Sequence, residues 1–214
     1  MAAENQHVCE LYLITPPRID DLDGFASTLD DVLATGNVAC LQLRLKDTTD
    51  DVIREAAAAL IPVCHKHEVA FILNDRADLA AEVNADGVHI GQHDGDVQTV
   101  RTLLGHDKDI GVTCHDSRHL AYEAGEAGAD YVAFGAFFPT TTKETEFQPE
   151  LELLTAWDEV TEIPCVAIGG ITVENCREVA QAGAHFVAVS SGVWDYAGGP
   201  VKAVNDFAEA LSNL

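Results

Sequence analysis

Eight short apolar runs, rich in β-branched residues, alternate along this chain with alanine- and acid-rich segments of helical spacing. Near-continuous apolar runs are typical of parallel strands that are covered on both faces. Eight strand–helix pairs predict an α/β fold, a single-domain (β/α)8 TIM barrel over residues 1–214, with 1–10 as a short N-terminal extension. The predicted strands are residues 11–15, 38–44, 69–74, 87–90, 109–114, 131–135, 164–168 and 185–190.

The segments between these runs carry signals for helices. Helices are predicted over 50–67 and 172–184, with Asp50 and Thr172 as their N-cap residues. Two segments end in Ala-Gly-Ala, whose glycine can take the left-handed conformation that ends many helices. A doubly wound open sheet is the rival fold, but no G-x-G-x-x-G follows the first strand, so the barrel is favoured.

Composition excludes several classes of function. The formal net charge of -24 argues against nucleic acid as a partner, because phosphate-backbone binding needs a basic face. No stretch of about 18 apolar residues predicts a transmembrane helix, and the N-terminus lacks the features of a signal peptide. Six cysteines without a C-x-x-C pair indicate buried thiols in a reducing compartment, so we expect a cytoplasmic protein.

Two aspartates stand just past neighbouring predicted strands, Asp75 after strand three and Asp94 after strand four. A barrel has its active site at the C-terminal ends of its strands. Two carboxylates delivered to that rim by adjacent strands suit a hard divalent cation, so the sequence predicts a Mg²⁺ site there. The Asn74-Asp75 pair could instead cap the following helix.

Polar residues alternate at the end of the second strand, where Gln42, Arg44 and Lys46 share one face. The alternating leucines would then pack in the outer layer, so we expect the three polar side chains to meet a ligand. On strand four, His89 is expected to be a buried core histidine. Beyond strand five, His115 could either cap a helix or touch substrate.

Hydroxyls and glycines follow the later strands. The loop after strand six has Thr140, Thr142 and Lys143, and a connection of its length is often a lid or a binding loop. A turn with two glycines follows strand seven, and two serines follow strand eight; barrels frequently bind phosphate at this place. The predicted phosphate-binding residues here are Gly169, Gly170, Ser190 and Ser191.

The predicted rim therefore has two anion-binding zones. The backbone-based zone after strands seven and eight suits a phosphomonoester. The other combines basic side chains with the predicted Mg²⁺ and suits a diphosphate. Together the two zones indicate a transferase that joins two phosphorylated small molecules with loss of pyrophosphate.

Several segments resemble one known family over nearly the whole chain. QLRLK, LNDR, ADGVHIGQHD, GADYVAFGAFFPTTTK and AIGGIT occur in the order found in thiamine-phosphate synthases. The resemblance implies a (β/α)8 barrel that couples hydroxymethylpyrimidine diphosphate to hydroxyethylthiazole phosphate with Mg²⁺, releasing pyrophosphate and thiamine phosphate. It also implies a dissociative reaction, in which the thiazole nitrogen captures a pyrimidine-methyl cation.

Carried over position by position, the resemblance assigns roles to individual residues. Asp75 and Asp94 would bind Mg²⁺, and Gln42 would lie near the pyrimidine. The diphosphate would be held by Arg44, Lys46, Asn74 and Lys143, of which Arg44, Lys46 and Lys143 are the predicted catalytic residues. The thiazole phosphate would face Thr140, Thr142, Gly170 and Ser190.

The sequence departs from the family pattern in three places. Thr113, an expected substrate contact, replaces the serine of strand five. Pro149 replaces a glycine in a short loop, and Ser191-Gly192 replaces a more aliphatic run. Two alternatives stay open: a relative that rearranges a thiazole phosphate without coupling, and a non-catalytic phosphate-binding barrel. We expect small-molecule substrates, neither nucleic acid nor a membrane as a partner, and allow for a homo-oligomer.

Overall fold

The computed structural model of the protein describes residues 8–140 and 147–212, and in these ranges eight strands alternate with nine helices. The strands are β1 (Glu10–Ile14), β2 (Val38–Leu43), β3 (Ala70–Asn74), β4 (Gly87–Ile90), β5 (Asp109–His115), β6 (Tyr131–Gly135), β7 (Cys165–Ile168) and β8 (Phe186–Val189). The helices are α1 (Leu22–Leu33), α2 (Asp50–Lys66), α3 (Ala77–Val83), α4 (Val97–Leu104), α5 (Arg118–Glu126), α6 (Glu152–Asp158), α7 (Cys176–Gln181), α8 (Ser191–Trp194) and α9 (Pro200–Ser212).

The strands form a closed barrel in sequence order. Each strand pairs in parallel with the next, and β8 pairs with β1, where Leu11 lies beside Val187. The predicted (β/α)8 architecture is confirmed. The bounds differ slightly from the prediction: residue 10 belongs to β1 rather than to an extension, and β2 ends before Arg44.

Two apolar layers hold the barrel together. The larger layer lies between the outer faces of the strands and the helices, and it includes Leu41, Leu43 and the fully buried Trp157 of α6. The predicted outward packing of the β2 leucines is therefore confirmed. The smaller layer fills the inside of the barrel, with Tyr12 and Ile72 among its members. Close packing on both faces of each strand explains the near-continuous apolar runs.

Both predicted N-cap residues are wrong, although the first of these helices does begin at Asp50. Thr49, not Asp50, is the N-cap of α2, and its Oγ1 accepts a hydrogen bond from the backbone N–H of Val52 at 3.5 Å. The second helix begins at Cys176 rather than at 172. Residues 173–175 form a turn instead of the predicted first helical turn, because the Asn175 side chain accepts a hydrogen bond from the N–H of Thr172 at 2.8 Å.

Glycine ends two of the helical segments as predicted. Gly128 follows α5 with φ +98° and Gly183 follows α7 with φ +109°, a region in which a Cβ is strained. Each of these glycines turns the chain from a helix into the next strand.

The six cysteines are all buried free thiols, as predicted. None of the helices within residues 8–140 and 147–212 is long and apolar enough to cross a membrane.

Candidate functional site

A cavity of about 400 Å³ opens at the C-terminal end of the barrel, and its walls come from all eight strands or the turns that follow them. Most of the predicted site residues meet there. Those that line it are Gln42, Arg44, Asn74, Asp75, Asp94, Thr113, Thr140, Gly169, Gly170, Ser190 and Ser191.

Of the predicted site residues that the structure describes, Lys46 is not among the cavity's lining. Lys46 is exposed beyond the end of β2, and its backbone N–H donates to the carbonyl of Pro17 at 3.0 Å. Thr142 and Lys143 lie outside the described residues.

The two aspartates reach the cavity through tight turns after β3 and β4. Asp75 has a left-handed backbone (φ +64°), uncommon for a residue with a side chain, and its N–H donates to the carbonyl of His89 at 2.7 Å. Asp94 closes the turn after β4, because its Oδ2 accepts from the N–H of Gly91 at 3.0 Å. A backbone hydrogen bond thus fixes the first turn, and a bond between the backbone and the Asp94 side chain fixes the second.

These two carboxylates fit Mg²⁺. The ion is usually held by one or two carboxylates, with waters and substrate phosphates completing the octahedron. A carboxylate can accept about four hydrogen bonds or metal bonds, so the contact of Asp94 with Gly91 leaves capacity for a metal. Within the described residues, no group of three or more His, Cys, Asp or Glu side chains is placed to hold a metal.

Arg44 supplies positive charge beside the aspartates. It is partly buried at the end of β2, and its N–H donates to Thr15 Oγ1 at 3.0 Å. Burial lowers the pKa of the Arg44 guanidinium, whereas the charge of Asp75 raises it. Because the ordinary pKa of arginine lies far above neutral pH, Arg44 stays protonated, and its planar guanidinium can bind a phosphate oxygen.

The turn after β7 lies across the barrel, because β3 and β7 are four strands apart in an eight-stranded ring. Gly169 and Gly170 both have positive φ, +101° and +64°. A Cβ on Gly170 would lie 2.8 Å from the carbonyl oxygen of Phe138, and one on Gly169 would collide with Ala136. Only glycine fits here, and the turn presents bare backbone to the cavity.

The end of β8 borders this glycine turn. Ser190 Oγ donates to the carbonyl of Thr15 at 3.2 Å, which ties β8 to the end of β1. The short helix α8 begins at Ser191, in the place where barrels often carry an extra helix beside a bound phosphate. The sequence reading did not predict α8.

Small side chains make room for a ligand deeper in the barrel. Ala133, Val166 and Ala188, from β6, β7 and β8, line the cavity from inside. Tyr12 of β1, the strand next to β8, continues this wall. The deep part of the cavity is therefore lined on this side by small apolar side chains and one tyrosine.

Several lining residues were missed or left open by the sequence reading. His89 is buried as predicted, with 8% of its surface exposed, yet it also lines the cavity. His115 is at the mouth, and its ring centroid lies 4.4 Å from that of Phe147. Tyr12 gave no signal, because an aromatic residue in an apolar run is normally packing. Phe147 gave none, because a single aromatic residue in a polar stretch forms no pattern.

Comparison with known proteins identifies the family. Residues 11–193 match the family model described as thiamine monophosphate synthase. The chain belongs to this family. The matched range includes every strand of the barrel except the first residue of β1.

Several relatives are similar to this chain over almost their whole length. The thiamine-phosphate synthase of Rhodospirillum centenum is 58% identical over 95% of this chain and 98% of the relative. That of Hyphomonas neptunium is 50% identical over 95% and 94%. The solved thiamine phosphate pyrophosphorylase of Pyrococcus furiosus is 30% identical, covers 95% of this chain and 96% of its own, and superposes with a TM-score of 0.83. Members of the thiamine monophosphate synthase family thus share both sequence and barrel with this chain.

Proposed function

We propose that this chain is a thiamine-phosphate synthase, a transferase that couples hydroxymethylpyrimidine diphosphate with hydroxyethylthiazole phosphate to give thiamine phosphate and pyrophosphate. One observation carries the proposal: a single cavity has two carboxylates and Arg44 at β2–β4 and a glycine turn at β7. Two differently charged zones in one cavity suit two phosphorylated substrates that must meet.

The β2–β4 side is suited to the diphosphate. Asp75 and Asp94 would hold Mg²⁺, which supplies charge neutralisation for the leaving diphosphate. Arg44 and Asn74, with Lys46 from the loop after β2 and Lys143 from the loop after β6, would bind the phosphate oxygens. Charge that is already positioned lowers the barrier to departure, because it needs no reorganisation as the bond breaks.

The opposite side is suited to the thiazole phosphate. Bare backbone at Gly169 and Gly170 allows a phosphate to approach closely, and Ser191 adds a hydroxyl donor beside it. Ser190 would donate there once its hydroxyl releases the carbonyl of Thr15. Thr140, with Thr142, would contribute from the loop after β6. This arrangement would direct the thiazole nitrogen towards the centre of the barrel.

The apolar floor suits a dissociative reaction. Ala133, Val166 and Ala188 surround the space between the two zones with groups that neither attack a carbon nor hold water. A pyrimidine-methyl cation formed there would meet the thiazole nitrogen before solvent. Orientation and charge stabilisation, rather than a nucleophilic side chain, would supply the rate.

The state of the cysteines supports a proposal about the cellular compartment. All six cysteines are free and buried, a pattern typical of proteins kept in a reducing environment. We propose a cytoplasmic enzyme whose partners are these two small molecules.

The decisive experiment is release of pyrophosphate. Purified protein with both substrates and Mg²⁺ should release pyrophosphate, and each substrate alone should not. Lys143→Ala should abolish release, while Lys202→Ala, which alters a lysine paired with Asp206 on the outer helix α9, should leave it unchanged. Product from the thiazole phosphate alone would instead indicate the rearrangement reaction.

A further inference from the structure

Five polar side chains inside the barrel form a continuous series of hydrogen bonds, here called the interior relay. Gln42 Nε2 donates to the Tyr12 hydroxyl at 3.1 Å, and the hydroxyls of Tyr12 and Tyr131 lie 2.9 Å apart. Tyr131 is 3.1 Å from His89 Nδ1, and His89 Nε2 is 2.8 Å from Thr113 Oγ1. The relay connects β2 with β5 through β1, β6 and β4, and both of its ends line the cavity.

The interior relay is buried, and space has been made for it. Gln42 and Tyr12 are each 3% exposed. Gly111 of β5 lies against the ring of Tyr131, where any Cβ would collide with it. No buried side-chain nitrogen or oxygen of the described part of the chain lacks a partner. An arrangement this complete in an apolar interior fixes the geometry of its members.

The hydrogens along the relay can be ordered. Burial raises the pKa of Tyr12 and of Tyr131 well above the ordinary tyrosine value, so both remain hydroxyls that donate once. Because the Gln42 amide nitrogen can only donate, Tyr12 must pass its own hydrogen to Tyr131. Tyr131 then donates to Nδ1 of His89.

The same ordering fixes both ends. A neutral histidine that accepts at Nδ1 carries its hydrogen on Nε2, so His89 donates to Thr113. The hydroxyl hydrogen of Thr113 is then left to donate into the cavity, and the side-chain carbonyl oxygen of Gln42 is left to accept there. One end is therefore an acceptor and the other a donor, and neither can change unless the whole relay reverses.

We propose that the three inner members, Tyr12, Tyr131 and His89, are positioning residues for the pyrimidine substrate. This inference rests on the proposed function, whose pyrimidine carries an exocyclic amino group beside a ring nitrogen. The relay holds the Gln42 oxygen as the acceptor for that amino group and excludes rings that lack a donor there. Tyr131, which does not line the cavity, acts only through the others.

The test compares two ligands at equilibrium, so that it needs no turnover. Dissociation constants are measured by calorimetry, with Mg²⁺ and without thiazole phosphate, for the aminopyrimidine diphosphate and for its counterpart with hydrogen in place of the amino group. The selectivity is the dissociation constant of the hydrogen counterpart divided by that of the aminopyrimidine diphosphate. Tyr131→Phe should lower this ratio by about three- to tenfold, the value of one hydrogen bond. Tyr122→Phe removes a hydroxyl from a tyrosine that is exposed on α5, and should leave the ratio unchanged.

The far end of the relay gives a second, independent variant. Thr113→Val removes the acceptor of the His89 hydrogen and should lower the same ratio, whereas Thr113→Ser keeps a hydroxyl and should retain it. If Tyr131→Phe does not fold, the two Thr113 variants test the proposal in its place. An unchanged ratio in folded Tyr131→Phe or in Thr113→Val, or a wild-type protein that does not distinguish the two ligands, would overturn the proposal. Failure of the proposed function is a separate result, namely no pyrophosphate from the wild-type protein with both substrates.

Discussion

Among single residues, Asp75, which follows β3, has the largest part in the proposed chemistry. Asp75 accepts a left-handed backbone so that its N–H can bind the carbonyl of His89. Such a conformation costs about 1 kcal/mol or more in a residue other than glycine. The turn is therefore kept for the position it gives the carboxylate and not for its own stability.

Asp75→Asn should weaken the response to Mg²⁺. The amide removes one negative charge from the metal site while it keeps the shape of the side chain. We expect the Mg²⁺ concentration for half-maximal pyrophosphate release to rise by about 10- to 100-fold. Asp78→Asn is the matched control, because Asp78 is paired with Arg76 on the exposed face of α3. Equal Mg²⁺ dependence in the two variants would contradict the metal assignment.

Gly170→Ala should weaken binding of the thiazole phosphate. The new Cβ meets the carbonyls of Phe138 and Pro139 and must also adopt φ +64°. We expect KM for the thiazole phosphate to rise by about tenfold or more, and KM for the pyrimidine diphosphate to change little. Gly128→Ala controls for backbone strain alone: its φ is +98°, but nothing lies within 4 Å of its Cβ.

At the scale of elements, the strands were predicted more accurately than the helix starts. A buried parallel strand is marked by several apolar residues at once, so one substitution does not hide it. The residue that caps a helix is decided by one side-chain hydrogen bond, where such a bond exists. Thr49 rather than Asp50 makes that bond in α2, and the Asn175 side chain replaces the first turn predicted for α7. Local competition of this kind leaves no pattern in the sequence.

In the candidate site, too, some residues could be predicted from the sequence and others could not. Polar residues just past a strand, such as Asp75 and Arg44, could be predicted because they interrupt an apolar pattern at the rim. Tyr12 and Tyr131 could not, because a strand buried on both faces gives no sign of which aromatic residue points into the barrel. The interior relay depends on contacts between residues up to 119 positions apart in the sequence.

The start of α4 should respond to acid. Asp96 accepts hydrogen bonds from the Oγ1 and the N–H of Thr99, and these bonds lower the pKa of its carboxyl. A lowered folded-state pKa stabilises the fold above the ordinary aspartate value of about 3.9 and loses that effect as pH falls through the folded value. Asp96→Asn still caps the helix but does not titrate. Urea unfolding should therefore show a difference from wild type at neutral pH that shrinks in acid; a constant difference would contradict it.

At the scale of the whole molecule, the net charge of -24 opposes anionic substrates. Screening limits this effect, because the Debye length is about 8 Å at physiological ionic strength. Surface carboxylates farther away than this barely influence a phosphate inside the cavity. Arg44 and a bound Mg²⁺ would dominate there, and the global charge would mainly slow the encounter.

The thiols of the folded protein should be inert. Burial raises the pKa of Cys9, Cys64, Cys114 and Cys165 to about 12, and it also raises the pKa of the remaining two. Only the thiolate reacts with alkylating reagents. Iodoacetamide at a pH of about 8 should label none of the six in the native protein and all six in urea, as counted by mass spectrometry. Rapid labelling of any native cysteine would contradict this.

The pairing of β8 with β1 has a consequence for how the molecule is made. Leu11 and Val187 are neighbours in the ring although nearly the full chain separates them. On the ribosome β1 is synthesised first, and it must wait with one edge unpaired until the last strand emerges. Contacts so distant in sequence form slowly, and an unpaired edge invites association with other chains. Because β2 occupies the other edge of β1, early covering of the waiting edge by a chaperone would govern the yield of active protein.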